Sequence, residues 1–137
     1  MNRLIAPVLI VIFLFFLMGM GELGGTAGPI EKIPVPEKLF SVGVLDREGV
    51  HATLQSFSFG GKVFLAGKYG NAEVTIPFEK IAEIQFQGPE GSEIAVKVLL
   101  RDQKSVLLKI DKQAKFFGKT DFGSYQIEAK DLKSIRF

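Results

Sequence analysis

The chain has 137 residues, enough for one domain or two very small ones. Its 17 basic and 15 acidic residues leave a net charge of +2, too even a balance for the clustered basic face that nucleic-acid binding demands. With no cysteine and a single histidine, it has no disulfide framework, no thiolate metal site, no Cys nucleophile and no Cys for lipid attachment behind a signal peptide.

The first segment, residues 1–27, reads as an export signal. Arg3 supplies a positive start, Leu4 to Met18 form an apolar stretch of about 15 residues, and small residues follow. Gly25-Thr26-Ala27 places small side chains for cleavage after Ala27, and Gly19-Met20-Gly21 offers a second site after Gly21. The alternative is an uncleaved inner-membrane anchor over Leu4 to Met20, at the short end of what spans a bilayer. Either way the remainder is expected outside the cytoplasm, periplasmic or secreted if the segment is cut. Gly19, Gly21 and Gly24 also spell G-x-G-x-x-G. The prolines that follow open no helix, so the run lacks the context of a dinucleotide site.

Residues 28–38 carry Pro29, Pro34 and Pro36 and read as an extended linker. The body is expected to start at Leu39. From there the apolar pattern alternates with period two: Phe40, Val42, Val44; Val50, Ala52, Leu54; Ile94, Val96, Val98, Leu100; Val106, Leu108, Ile110; Tyr125, Ile127, Ala129. The turn-forming runs DREG, SFGGK, KYGN, QGPEGS, RDQK and TDFG separate these stretches. Short strands at such spacing predict an all-β protein.

The body also matches itself. Residues 64–86 align without a gap over residues 115–137, at an offset of 51. Gly67 meets Gly118, Lys68 meets Lys119, Ile76 meets Ile127, Ile84 meets Ile135 and Phe86 meets Phe137. A self-match of this kind marks a repeated unit, here residues 39–88 and 89–137. The first copy is a few residues longer, around Ser56 to Gly61. Both copies carry a stretch that breaks the alternation, Ile81-Ile84-Phe86 and Leu132-Ile135-Phe137, read as one helical turn leading into a final strand. Five strands with a helical turn before the last resemble the layout of the small SH3-like or Sm-like barrel. The expectation is two such units of about 50 residues packed together, because cores of that size are marginal alone. The alternative is a single sandwich or barrel of about ten strands.

Gly118-Lys119-Thr120 looks like the end of a phosphate-binding loop. The motif needs a glycine where Gln113 stands, and its counterpart Gly67-Lys68-Tyr69 lacks the hydroxyl for magnesium. The shared feature is instead a glycine ending a strand, expected at a bulge or a positive φ. His51 falls on the outward phase of a strand. The acids, among them Asp46, Glu93, Asp102, Asp111, Asp121 and Asp131, fall in turns and strand ends, with Asp121 and Asp131 expected to serve turn hydrogen bonds. The terminal Phe137 reads as a strand end, not an outer-membrane barrel signature, because Asp131 and Lys133 share its phase.

No catalytic, cofactor-binding or metal-binding set emerges. A candidate interaction surface comprises Phe57, Phe59, Phe116, Phe117 and Phe122. Phe116 and Phe117 point to opposite faces of their strand, so one of them needs a cover. The expected function is a small exported, non-catalytic binding module of the bacterial cell envelope, with an envelope protein or polymer as partner and no nucleic acid. Exposed sheet edges also allow a homodimer. The alternatives are an envelope glycan hydrolase using an acid pair and, if the N-terminal segment stays in the membrane, an anchored accessory subunit.

Overall fold

The computed structural model describes Pro34, Pro36 and residues 38–137. The export segment, both cleavage candidates and the G-x-G-x-x-G run lie outside the described residues. Among the described residues the strands are β1 (Val42–Asp46), β2 (His51–Phe59), β3 (Phe64–Tyr69), β4 (Ala72–Pro77), β5 (Ile81–Glu90), β6 (Glu93–Leu100), β7 (Ser105–Asp111), β8 (Lys115–Lys119), β9 (Ser124–Glu128) and β10 (Leu132–Arg136). Single-turn 3-10 helices, η1 (Phe78–Lys80) and η2 (Ala129–Asp131), sit before β5 and β10. The break in alternation is therefore the helical turn expected at both places. No helix among the described residues is long and apolar enough to cross a membrane.

All ten strands form one antiparallel sheet in the order β4-β3-β7-β6-β5-β10-β1-β2-β8-β9. The fold is all-β and takes the single ten-stranded form; two separate 50-residue barrels do not form. The β3–β4 hairpin leaves the strands that precede it and joins β7, while β8–β9 joins β2. Gly60 and Gly61, at φ +58° and +91°, let the chain cross from one half of the sheet to the other. One shared core replaces two cores too small to be stable separately.

The strand order maps onto itself, read from the other end, when β1–β5 are exchanged with β6–β10. At its centre β5 pairs with β10, and Ile84 stands opposite Ile135. The halves are tied there by Arg136 and Glu83, 3.1 Å apart.

The sheet curls into a half-barrel because its far ends share side chains. Phe78 follows the edge strand β4, yet its ring centroid lies 5.4 Å from that of Phe57 on β2 and 5.0 Å from that of Phe137. Phe57 in turn stacks on Phe116 at 5.7 Å. Leu54, Leu65, Ile81, Ile84, Val96, Leu108, Leu132 and Ile135 fill the rest of this core with no exposure. The alternating residues read from the sequence lie on the inner face, except Val50, which precedes β2 and is exposed. His51 is exposed, on the outward phase.

The body begins before Leu39. Pro36 is buried and Leu39 is 73% exposed. Pro34 lies so close to Gly61 that a Cβ on that glycine would sit 2.8 Å from the proline Cβ.

Gly67 and Gly118 correct a second expectation. Neither has a positive φ; both lie inside strands, where space is the constraint. A Cβ on Gly118 would sit 2.9 Å from Leu54 Cβ, and one on Gly67 would sit 3.0 Å from Ile110 Cγ2 and the Lys109 carbonyl oxygen. Each lets an incoming hairpin strand approach the strand it joins.

The turn acids are corrected too. Asp46 Oδ1 accepts from the Glu48 and Val50 amides, each at 2.9 Å. Asp102 Oδ1 accepts from Lys104 at 3.0 Å and Asp111 Oδ1 from Gln113 at 2.8 Å. These three serve the turns. Asp131 contributes its main-chain carbonyl, which accepts from the Arg47 amide at 3.0 Å, and at the Asp121 turn the side chain at work is Thr120. Its hydroxyl donates to the Gly123 carbonyl at 2.9 Å and accepts from the Phe122 amide at 3.2 Å. Gly118-Lys119-Thr120 is thus the end of a strand and the start of a hairpin turn.

Candidate functional site

The five phenylalanines proposed as a surface do not form one. Phe57 and Phe116 are fully buried and stacked in the core. Phe59 is half-buried, 5.0 Å from Phe116, and Phe117 is half-buried on the opposite face of β8. Only Phe122, at the tip of the β8–β9 hairpin, stands free, at 93% exposure. The cause is a bulge. Ser56 adopts φ +52°, and the β2–β8 register slips between Gln55 and Ser58. Simple alternation from Leu54 would turn Ser56 and Ser58 inward; the extra residue reverses the phase and turns Phe57 in. Ser58 is buried as well, and its hydroxyl accepts from the Gly61 amide at 3.2 Å.

The two hairpins join the sheet through unequal seams. In one half β8 runs along β2 through Gln55↔Lys119, Ser58↔Phe117 and Phe59↔Phe116. In the other, β3 meets β7 at Lys68↔Lys109 alone. A cleft of about 660 Å³ lies over the β3–β7 seam. Ala66, Gly67 and Lys68 of β3 and Lys109, Ile110 and Asp111 of β7 form its walls. Asn71, Glu73, Ser92 and Glu93 stand around it, and Phe59 and Ala114 also line it. A second hollow of about 510 Å³, against Gln87 to Glu90, shares Glu93 and Lys109 with the first. The two hollows flank the start of β6 and together are termed the trough.

Charge in the trough is mixed. Lys68 Nζ lies 3.6 Å from Glu93 Oε2, with Lys109, Glu73 and Asp111 nearby. Three of the carboxylates that the sequence scatters along the chain therefore line one cleft. Lysines stand among them, and Asp111 is partly engaged by its own turn. Among the described residues, no three His, Cys, Asp or Glu side chains group tightly enough to hold a metal ion. Outside the trough, partial burial and then the charge of Asp46 push the Tyr125 phenol above its usual range.

Sequence reading missed this cleft because no contiguous run of residues makes it. Its walls come from both halves of the chain, brought together where the β3–β4 hairpin joins β7.

A family model described as "Uncharacterised protein" matches residues 36–137. The chain belongs to this family. Its match covers the whole sheet and begins at the buried Pro36. A protein of Aquifex aeolicus (strain VF5), described as "Uncharacterized protein", is 26% identical over 137 residues, covering 100% of this chain and 96% of that one.

Proposed function

We propose that the protein is a small exported, non-catalytic binding module of the bacterial cell envelope, and that the trough over β3, β6 and β7 receives its partner. The observation that supports this is the cleft over the β3–β7 seam, where the two strands pair at Lys68↔Lys109 alone, while β2 and β8 pair at three positions. An exposed trough with both signs of charge suits a polar chain carrying both signs, such as a segment of another envelope protein.

The test has two parts. A photo-crosslinking side chain at Asn71, in cells expressing the full-length gene, is expected to give one discrete adduct that Lys109→Glu removes. No adduct, or an adduct indifferent to Lys109→Glu, overturns the trough as the binding site. Export is read from the cell fraction and intact mass. A chain starting at Gly28 in the periplasmic or secreted fraction is expected. A full-length chain in the membrane fraction favours an anchored accessory subunit, and a chain in the cytosol overturns export.

A second reading, hydrolysis of envelope glycans, draws on the shared lining by Glu73, Glu93 and Asp111. It requires a turnover on envelope glycan that Glu93→Gln or Asp111→Asn abolishes; binding with unchanged glycan ends it.

We also infer that the two halves descend from one unit repeated in tandem. The ungapped match at offset 51, the reversible strand order and the pairing of Ile84 with Ile135 support it. Distant relatives should keep the correspondence of Gly67 with Gly118; its absence across them would count against a repeat.

A further inference from the structure

The two ends of the sheet are edge strands, β4 and β9. An edge offers a row of unpaired backbone groups that another strand can join. Which groups face outward follows from the hairpin hydrogen bonds. The Thr120 amide donates to Gly123 and the Ala129 amide donates to Ala114, each at 2.8 Å, in the same register as Phe116↔Ile127 and Gly118↔Tyr125. Odd-numbered residues of β9 therefore bond to β8, and Ser124, Gln126 and Glu128 turn their N–H and C=O groups outward. In the other half the Phe78 amide donates to Val63 at 3.0 Å. By the same rule Glu73, Thr75 and Pro77 of β4 face outward. Pro77 has no N–H and cannot donate to an added strand. Glu128 occupies the corresponding position of β9 and can. One edge is thus blunted and the other open.

We propose that β9 pairs with β9 of a second copy of this chain, antiparallel, about a two-fold axis at Gln126. This surface is independent of the trough. The strand is self-complementary in that register. Gln126 faces its own counterpart, amide to amide, and Ser124 faces the second copy's Glu128, hydroxyl to carboxylate. No like charges stand opposite each other. The two Glu128 side chains are kept apart by four residues of strand, about 13 Å. On the inner face Tyr125 and Ile127, both half-buried at the open end of the sheet, come beside the second copy's Ile127 and Tyr125 and lose their remaining exposure. Phe122, two residues before β9, overhangs the end of the added strand, which gives a use to a large apolar side chain that stands 93% exposed. An isologous contact of this kind closes at two copies, whereas joining β9 to β4 head to tail would build rings or open filaments.

The chain has no cysteine, so a single introduced thiol reports on one place. The experiment uses the full-length gene product as recovered from cells, in mild detergent if it keeps its N-terminal segment. Cα atoms of an antiparallel hydrogen-bonded pair lie about 5.5 Å apart, within disulfide reach. Gln126→Cys is therefore expected to form a disulfide-linked species of twice the monomer mass under mild oxidation. Thr75→Cys, at the matching position of β4, is expected not to. Unmodified protein should sediment as a dimer, and Phe122→Ser, a change on an exposed turn, should shift it toward monomer. A monomer at every concentration together with unlinked Gln126→Cys overturns the proposal. So does linkage of Thr75→Cys at the same rate, or linkage of Gln126→Cys to a different polypeptide.

Discussion

Gly67 and Gly118 show what a single residue can and cannot declare. Their match at offset 51 is visible in the chain, and a glycine in a strand pattern signals either a special φ or a close backbone approach. Only the neighbours decide between these, and Leu54, Leu108 and Ile110 are far away in sequence. Because crowding is the cause, Gly118→Ala should destabilise the protein by about 1–3 kcal/mol through overpacking. Gly43→Ala, in a strand where a new Cβ meets nothing within 4 Å, should be close to neutral. Urea unfolding of both variants checks this; equal effects would sink the packing account. Phe57 departs from the surface its sequence position suggests for a similar reason. Its phase depends on the bulge at Ser56, and nothing in Gln55-Ser56-Phe57 announces a residue at φ +52°.

At the scale of elements, the strands and the two helical turns follow from local pattern, but what holds the turns does not. Arg47, in the β1–β2 turn, donates from Nε to the Lys130 carbonyl at 2.7 Å and from its amide to Asp131 at 3.0 Å; its Nη2 also donates to the Gln87 carbonyl. Arg101, in the β6–β7 turn, donates from Nε to the Glu79 carbonyl at 3.1 Å and from its amide to Lys80 at 2.9 Å. Each arginine clamps a 3-10 helix that belongs, in sequence, to the other half of the chain. The chain hid this correspondence because the two turns read DREG and RDQK, and they align three residues out of step with the hairpins that follow. The surplus falls between Leu54 and Phe64, where the β2 bulge lies. Removing either clamp leaves carbonyls without a charged donor. Arg47→Ala and Arg101→Ala should each cost about 1–2 kcal/mol, and Arg→Lys should not restore it, since lysine cannot present the same planar fork. Thermal unfolding measures both; an effect below a few tenths in both variants would show that the clamps contribute nothing to stability.

For the whole molecule, the exchange of hairpins removes any way for one half to stand alone. β3 and β4 complete the sheet of β6 and β7, while β8 and β9 complete that of β1 and β2. Unfolding should therefore be one cooperative transition, with far-ultraviolet dichroism and tyrosine fluorescence falling together in urea. Two separated transitions would mean that the halves are independent after all. The sequence by itself determined the all-β class, the phase of most strands, the helical turns before β5 and β10 and the self-match, because these follow from period-two burial and turn chemistry within a few residues. Only the tertiary structure decided that the two halves trade hairpins, that Phe57 and Phe116 are core, that a cleft forms over the β3–β7 seam, and which strands stand at the edges of the sheet. Those outcomes depend on strand pairing between distant segments and on one bulge. A pattern that specifies which face of a strand is buried leaves unstated which strand will lie beside it.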